Sequence, residues 1–142
     1  MKISYYLCIL TVFLSCSGSE HPETSMQGDD TDFDIFYQQF HTDSLYQIQH
    51  IAFPLAGLPA NADTLEDVTS FFWQKEDWIL HRDLTNKLSG YDRKRKKFGS
   101  DIIVETIVQK DSEIGMMRRF AKMDDEWMLI YYAAMNQMQP SE

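Results

Sequence analysis

The stretch IIVETIVQKDSEIGMMRRFAKMDDEWMLIYYAAM, Ile102 to Met135, carries the reading of the fold. Ile102–Gln109 is rich in β-branched residues, which suit a pleated, half-buried surface. Lys110-Asp111-Ser112-Glu113 supplies a turn, and Ile114–Met123 follows with mixed alternation. Asp124-Asp125-Glu126 makes a second, acidic turn before Trp127–Met135. Strands joined by turns this short form an antiparallel meander. The last strand is apolar on both sides, so either both its faces are covered or one of them lines a cavity.

Helical periodicity appears on the amino-terminal side. Phe33, Phe36, Tyr37 and Phe40 fall at i, i+3, i+4 and i+7, a narrow aromatic stripe, while Asp32, Asp34, Gln38, Gln39 and His41 face elsewhere. Asp30, Thr31 and Asp32 offer capping groups and favourable negative charge at the helix start. Thr42-Asp43-Ser44 interrupts the pattern, and Asp43 is placed to cap a second helix through Leu45, Ile48 and Ile51 that ends before Pro54. Between these regions, Thr64–Phe72 fits a short helix, Phe72–His81 a strand hairpin, and Gly90 and Gly99 bracket a loop. Helices followed by a curled sheet give the α+β class, with N-terminal helices packed on a curved antiparallel sheet.

The first residues have the order of a secretory leader. Lys2 supplies positive charge and Ile3–Ser15 carries no charged side chain. That run is too short to span a bilayer, which takes roughly 20 apolar residues. Phe13-Leu14-Ser15-Cys16 resembles the lipobox of bacterial lipoproteins, with Phe13 where Leu is more usual. The resemblance implies a signal peptide over residues 1–15, diacylglycerol on Cys16, and a protein held at the cell envelope, each buried methylene contributing about 0.8 kcal/mol. Ser17–Thr31, SGSEHPETSMQGDDT, has the composition of a flexible spacer, so residues 16–31 form a lipidated tether and 32–138 one domain. Cys8 leaves with the leader, and no thiol remains for a disulfide. Ser17, rather than an aspartate, after the cysteine points to the outer membrane.

Losing Lys2 with the leader moves the formal charge from −9 to −10. So acidic a body excludes nucleic acid as a general partner. Arg93-Lys94-Arg95-Lys96-Lys97 holds five of the thirteen basic residues, as a solvated loop or as a contact for anionic envelope surface. His81-Arg82-Asp83-Leu84 copies the start of a kinase catalytic loop but has Leu88 where the metal-binding Asn belongs, and no Gly-rich phosphate loop accompanies it. The histidines His21, His41, His50 and His81 are dispersed, without zinc spacing. Asp29, Asp30, Asp32 and Asp34 lack the glycine and distal Glu of a calcium loop. No metal and no cofactor is expected.

The segments DFDIFYQQFHTDSLYQIQHIAFPLAG (Asp32–Gly57), FFWQKEDW (Phe71–Trp78) and RRFAKMDDEWMLIYYA (Arg118–Ala133) resemble a family of lipoproteins from Bacteroides and its relatives that has no established activity. The arginine-aromatic strand, acidic turn and Trp-x-Leu are also similar to the last hairpin of nuclear-transport-factor-2-like or SnoaL-like folds, cystatin-like cones in which a bent sheet wraps a helix. That second resemblance implies a pocket between the first helices and the concave face. Two functions follow as expectations. A binding module would take a small apolar or saccharide ligand, or another envelope protein, with Trp73, Trp78 and Trp127 as stacking rings if they lie together and as packing if they lie apart. A SnoaL-like enzyme would use general acid–base chemistry, for which Asp43, His50 and Arg118 are the candidates. Their structural alternative is a cap for Asp43 and a surface acid for Arg118. Met116, Met117, Met123, Met128, Met135 and Met138 suit a core or an adaptable binding wall.

Overall fold

The aromatic stripe forms the helix it predicts. The computed structural model describes residues 31–62, 70–82 and 89–138, and helix α1 runs over Thr31–Thr42. The leader, Cys16, the spacer up to residue 30 and most of the Thr64–Phe72 stretch lie outside the described residues. Phe33, Phe36, Tyr37 and Phe40 all turn onto one residue of the sheet, Phe120, with ring centroids 5.4–6.1 Å away. Burying a Phe contributes roughly 1.5–3 kcal/mol, so this cluster is the main clamp between helix and sheet. Trp127 closes its lower end, edge-on to Phe33 at 5.0 Å.

Helix α2 (Ser44–Gln49) begins where expected, with the Asp43 carboxylate accepting from the Leu45 and Tyr46 amides at 2.9 and 3.1 Å. It ends two residues sooner than the periodicity suggested. Ile51 instead opens strand β1 (Ile51–Leu58), which contains a cis Phe53–Pro54 bond and a break in register between Ile51 and Ala56. The apolar spacing at Leu45, Ile48 and Ile51 does not mark one buried helix face: Leu45 is largely exposed, Gln47 is the buried residue of α2, and Ile51 is buried in the strand.

The other strands are β2 (Phe72–Trp73), β3 (Tyr91–Phe98), β4 (Ile102–Gln109), β5 (Ile114–Met123) and β6 (Glu126–Gln137), in the sheet order β2-β1-β6-β5-β4-β3. The meander is as expected. Asp124 and Asp125 both take positive φ, giving the two-residue turn that matches strand twist, and Gly99 at φ 64 serves the β3–β4 turn. The sheet is nevertheless mixed, not wholly antiparallel, because β1 runs parallel to β6. The chain leaves α2 beside the start of β6, where Leu129 N–H donates to the His50 carbonyl at 2.8 Å, and both strands then run the same way. β6 is thus interior to the sheet, with Trp127, Leu129, Ala133 and Ala134 buried and Met128, Ile130, Tyr131 and Tyr132 half-buried.

Two middle expectations are corrected. Phe72–His81 is not a hairpin: after β2 the chain makes a 3-10 turn at Lys75–Asp77 and runs on without pairing. The basic run is not a loop but edge strand β3, its period of two hidden because both faces are charged. Lysines on an exposed edge discourage pairing with another chain. Alternation also splits the run, sending Arg93 and Arg95 to the helix side and Lys94 and Lys96 to the other.

Candidate functional site

Gln47, 1% exposed, fixes the architecture around a cavity of 280 Å³. Its side-chain amide donates to the carbonyls of Phe40 and His81, both at 2.6 Å. Its oxygen accepts from the His81 amide at 2.7 Å and from Trp78 Nε1 at 3.2 Å. One buried side chain therefore uses all its hydrogen-bonding capacity, and in doing so ties the unpaired segment Trp78–His81 to the helices. Trp73 is held from the other side, donating from Nε1 to the Tyr132 carbonyl at 2.9 Å. That approach requires Gly57, where a Cβ would overlap the Tyr132 carbonyl oxygen and lie 2.6 Å from Trp73 Nε1.

The result is a nest of rings. Tyr132 lies 5.3 Å from Trp73, 5.5 Å from Trp78 and 4.6 Å from the His81 imidazole, and the two indoles are 6.3 Å apart. Both indole N–H groups are engaged, so what they offer a ligand is ring surface. Ile79, 82% exposed, and Asp77 stand at the mouth. Burial, with the nearby Arg118 and His41, pushes His81 down to about 3, so it is neutral at physiological pH. Among the described residues its buried Nδ1 meets no hydrogen-bond partner.

Behind this cavity, Arg95, Glu105, Arg118 and Tyr132 are paired residue to residue across β3, β4, β5 and β6. Glu105, whose side chain is wholly buried, accepts from Arg118 Nε at 2.9 Å and Nη2 at 2.6 Å, and from the Tyr37 hydroxyl at 2.8 Å. Arg118 Nη2 also donates to the Tyr37 hydroxyl at 2.9 Å. Arg118 Nη1 lies 2.7 Å from His41 Nε2. A guanidinium can only donate, so His41 accepts at Nε2 and donates from Nδ1 to the Tyr37 carbonyl, 2.8 Å away. Burial alone would raise Glu105, but Arg118, Tyr37, Arg95 and Arg93 together hold it below the usual carboxylate range. Burial lifts Tyr37 above the ordinary phenol value.

The sequence candidates are dispersed by this arrangement. Asp43 caps α2, and His50 stacks on Tyr46 at 3.7 Å with Nδ1 against the Tyr46 carbonyl at 2.8 Å. Arg118 pairs with neither of them: its partners are the buried Glu105, not a surface acid, with His41 and Tyr37. Trp73 and Trp78 come together, whereas Trp127 belongs to the core beneath α1, its Nε1 donating to Asp32 at 3.2 Å. His41, expected away from the stripe, is 4% exposed. The methionines on β5 and β6 are half-buried, apart from the exposed Met123. Among the described residues no cluster of His, Cys, Asp and Glu could hold a metal. Glu105 and His41 carried a usable signal. In Ile103-x-Glu105-x-Ile107 the strand period puts a carboxylate on the apolar face, and His41 follows Tyr37 at i+4.

A helix clamped in a curved sheet with a cavity beside it is the cone of nuclear-transport-factor-2-like and cystatin-like proteins. Two solved structures share it: an NTF2-like protein from Bacteroides fragilis, at 15% identity and TM-score 0.52, and a cystatin-like protein from Bacteroides caccae, at 21% identity and TM-score 0.55. The first match covers 72% of this chain and 46% of the other, so the chain spans just under half the length of that protein. The second covers 72% and 74%. These likenesses establish the fold alone. No family model and no curated protein matches the chain.

Proposed function

We propose that this is a lipid-anchored envelope protein whose cone binds a small ring-shaped ligand without transforming it. The observation that carries the binding half is the nest of Trp73, Trp78, Tyr132 and neutral His81 around a 280 Å³ cavity. Flat ring surfaces, with both indole N–H groups engaged, favour a partner that also has a flat face, such as the C–H face of a sugar or an aromatic ring. Catalysis finds no support in the interior. Glu105 and His41 each bond the Arg118 guanidinium, Glu105 at Nε and Nη2 and His41 at Nη1, so a fixed cation stands between the two groups that an acid–base pair would need in direct reach. The anchor rests on the sequence around Cys16.

Titrating the protein with neutral monosaccharides and small aromatic compounds, read by tryptophan emission, tests the site. We expect saturable change with one of these classes and at least a tenfold weaker response in Trp78→Ala. No response from either class, or an unaltered one in Trp78→Ala, refutes it. Fatty-acid labelling tests the anchor: label should enter the wild-type protein and be lost in Cys16→Ser, and equal labelling of both overturns it.

A further inference from the structure

We propose that the cleft between α1 and β3, outside the aromatic cavity, is a second binding site, for a small molecule bearing an oxyanion group. The cleft has a volume of 290 Å³ and is lined by Tyr37, Gln38, His41, Thr42, Arg93 and Arg95, with Asp34 at its edge. Charge around it does not balance. Three guanidiniums, those of Arg93, Arg95 and Arg118, lie within 4 Å of the single Glu105 carboxylate. Asp34 takes part of the excess, 2.9 Å from Arg95 Nη1. One positive charge is left over in a chain whose formal charge is −9.

That charge belongs to Arg93. Arg118 is engaged at all three nitrogens. Arg95 is held by Asp34 and Glu105 and lies 4.0 Å over the Tyr37 ring. Arg93 sits one strand period away on the same face, its Nε 3.9 Å from Glu105 and its side chain 33% exposed. No hydrogen bond among the described residues engages it. An arginine fork with unused donors, backed by an aromatic wall that limits solvent, suits two-point binding of carboxylate or phosphate oxygens. Strand alternation is what separates this site from general basicity, because Lys94 and Lys96 of the same run face the other side of the sheet.

Calorimetric titration of the full chain with inorganic phosphate, acetate and glucuronate at fixed ionic strength tests the assignment. We expect saturable binding of at least one of them, weakened tenfold or more in Arg93→Gln and only partly restored in Arg93→Lys. Lys94→Gln removes the same charge from the opposite face and should leave binding unchanged, while Asp34→Asn should tighten it. Phosphate binding tighter than the carboxylates points to a phosphorylated ligand, and the reverse to an organic acid; either ranking supports the site. No saturable binding by any of the three, or equal weakening in Arg93→Gln and Lys94→Gln, overturns it.

Discussion

Replacing Arg118 by Leu should destabilise the domain by about 3–5 kcal/mol at pH 7, the range for leaving one partner of a buried ion pair uncompensated. The structure fixes where in that range to look. Glu105 would keep Arg95 at 3.4 Å, Arg93 at 3.9 Å and the Tyr37 hydroxyl at 2.8 Å, which softens the loss. His41 Nε2 would lose the donor 2.7 Å away, and a buried acceptor left empty costs about 1–3 kcal/mol. These effects oppose each other, so about 4 kcal/mol is the working expectation, a large part of a typical 5–15 kcal/mol. In a domain of this size it would lower Tm by roughly 15 °C or more.

Urea unfolding followed by circular dichroism, at pH 7 and again near pH 4, measures it. In the native protein Glu105 titrates below its unfolded value near 4.5, so its contribution is complete above that value and is lost as pH falls through the lower folded one. Without Arg118 the carboxyl takes up its proton more readily in the fold. The gap between variant and wild type should therefore narrow toward pH 4. Adding Glu105→Gln to Arg118→Leu removes the stranded charge and should recover part of the loss at pH 7. A penalty under about 1 kcal/mol, or one equal at both pH values, would show that this ion pair does not anchor the concave face.

Other perturbations read other parts of the structure. Asp43→Ala removes the cap of α2 and should cost about 1 kcal/mol in chemical unfolding. Gly57→Ala forces a methyl against the Tyr132 carbonyl and Trp73, so it should cost about 1–3 kcal/mol or more and shift tryptophan emission as the ring moves. His81 has a folded value of about 3 against 6.5 unfolded, so the unfolded chain holds the extra proton between them and stability falls as pH drops from 6.5 toward 3. At about 1.4 kcal/mol per tenfold change in proton affinity, the ceiling of that loss is about 5 kcal/mol. His81→Leu should flatten the wild-type slope between pH 6.5 and 5, and an unchanged slope would mean His81 is not buried as a neutral ring.

What the sequence disclosed was whatever a single period could carry. The stripe from Phe33 to Phe40 and the strands β4 and β5 each bury one face, so their alternation is visible without knowing what covers them. β1 was hidden because its pairing with β6 spans most of the chain, and nothing local in Ile51-Ala52-Phe53-Pro54 announces a parallel neighbour. β3 was hidden because neither of its faces is apolar. The functional residues obeyed the same division. Trp73 and Trp78 stood out by type, but their meeting depends on Gln47, an ordinary glutamine in sequence that becomes informative only when its four partners converge.

The charged row makes the two cavities separable in experiment. Arg95 lines the cleft beside α1 and Tyr132 lines the aromatic cavity, and along the row between them stand Glu105 and Arg118, one position from each intervening strand. A buried pair this fully bonded resists displacement, since shifting it would break the hydrogen bonds that Arg118 makes to Glu105, Tyr37 and His41. It therefore acts as a wall and not as a relay. Oxyanions in the cleft should then leave the aromatic cavity's affinity unchanged, and ring ligands should leave anion binding unchanged, since coupling between sites is reciprocal. Titrating either ligand in the presence of saturating concentrations of the other checks this, and a shift of fivefold or more in either direction would show that the row moves.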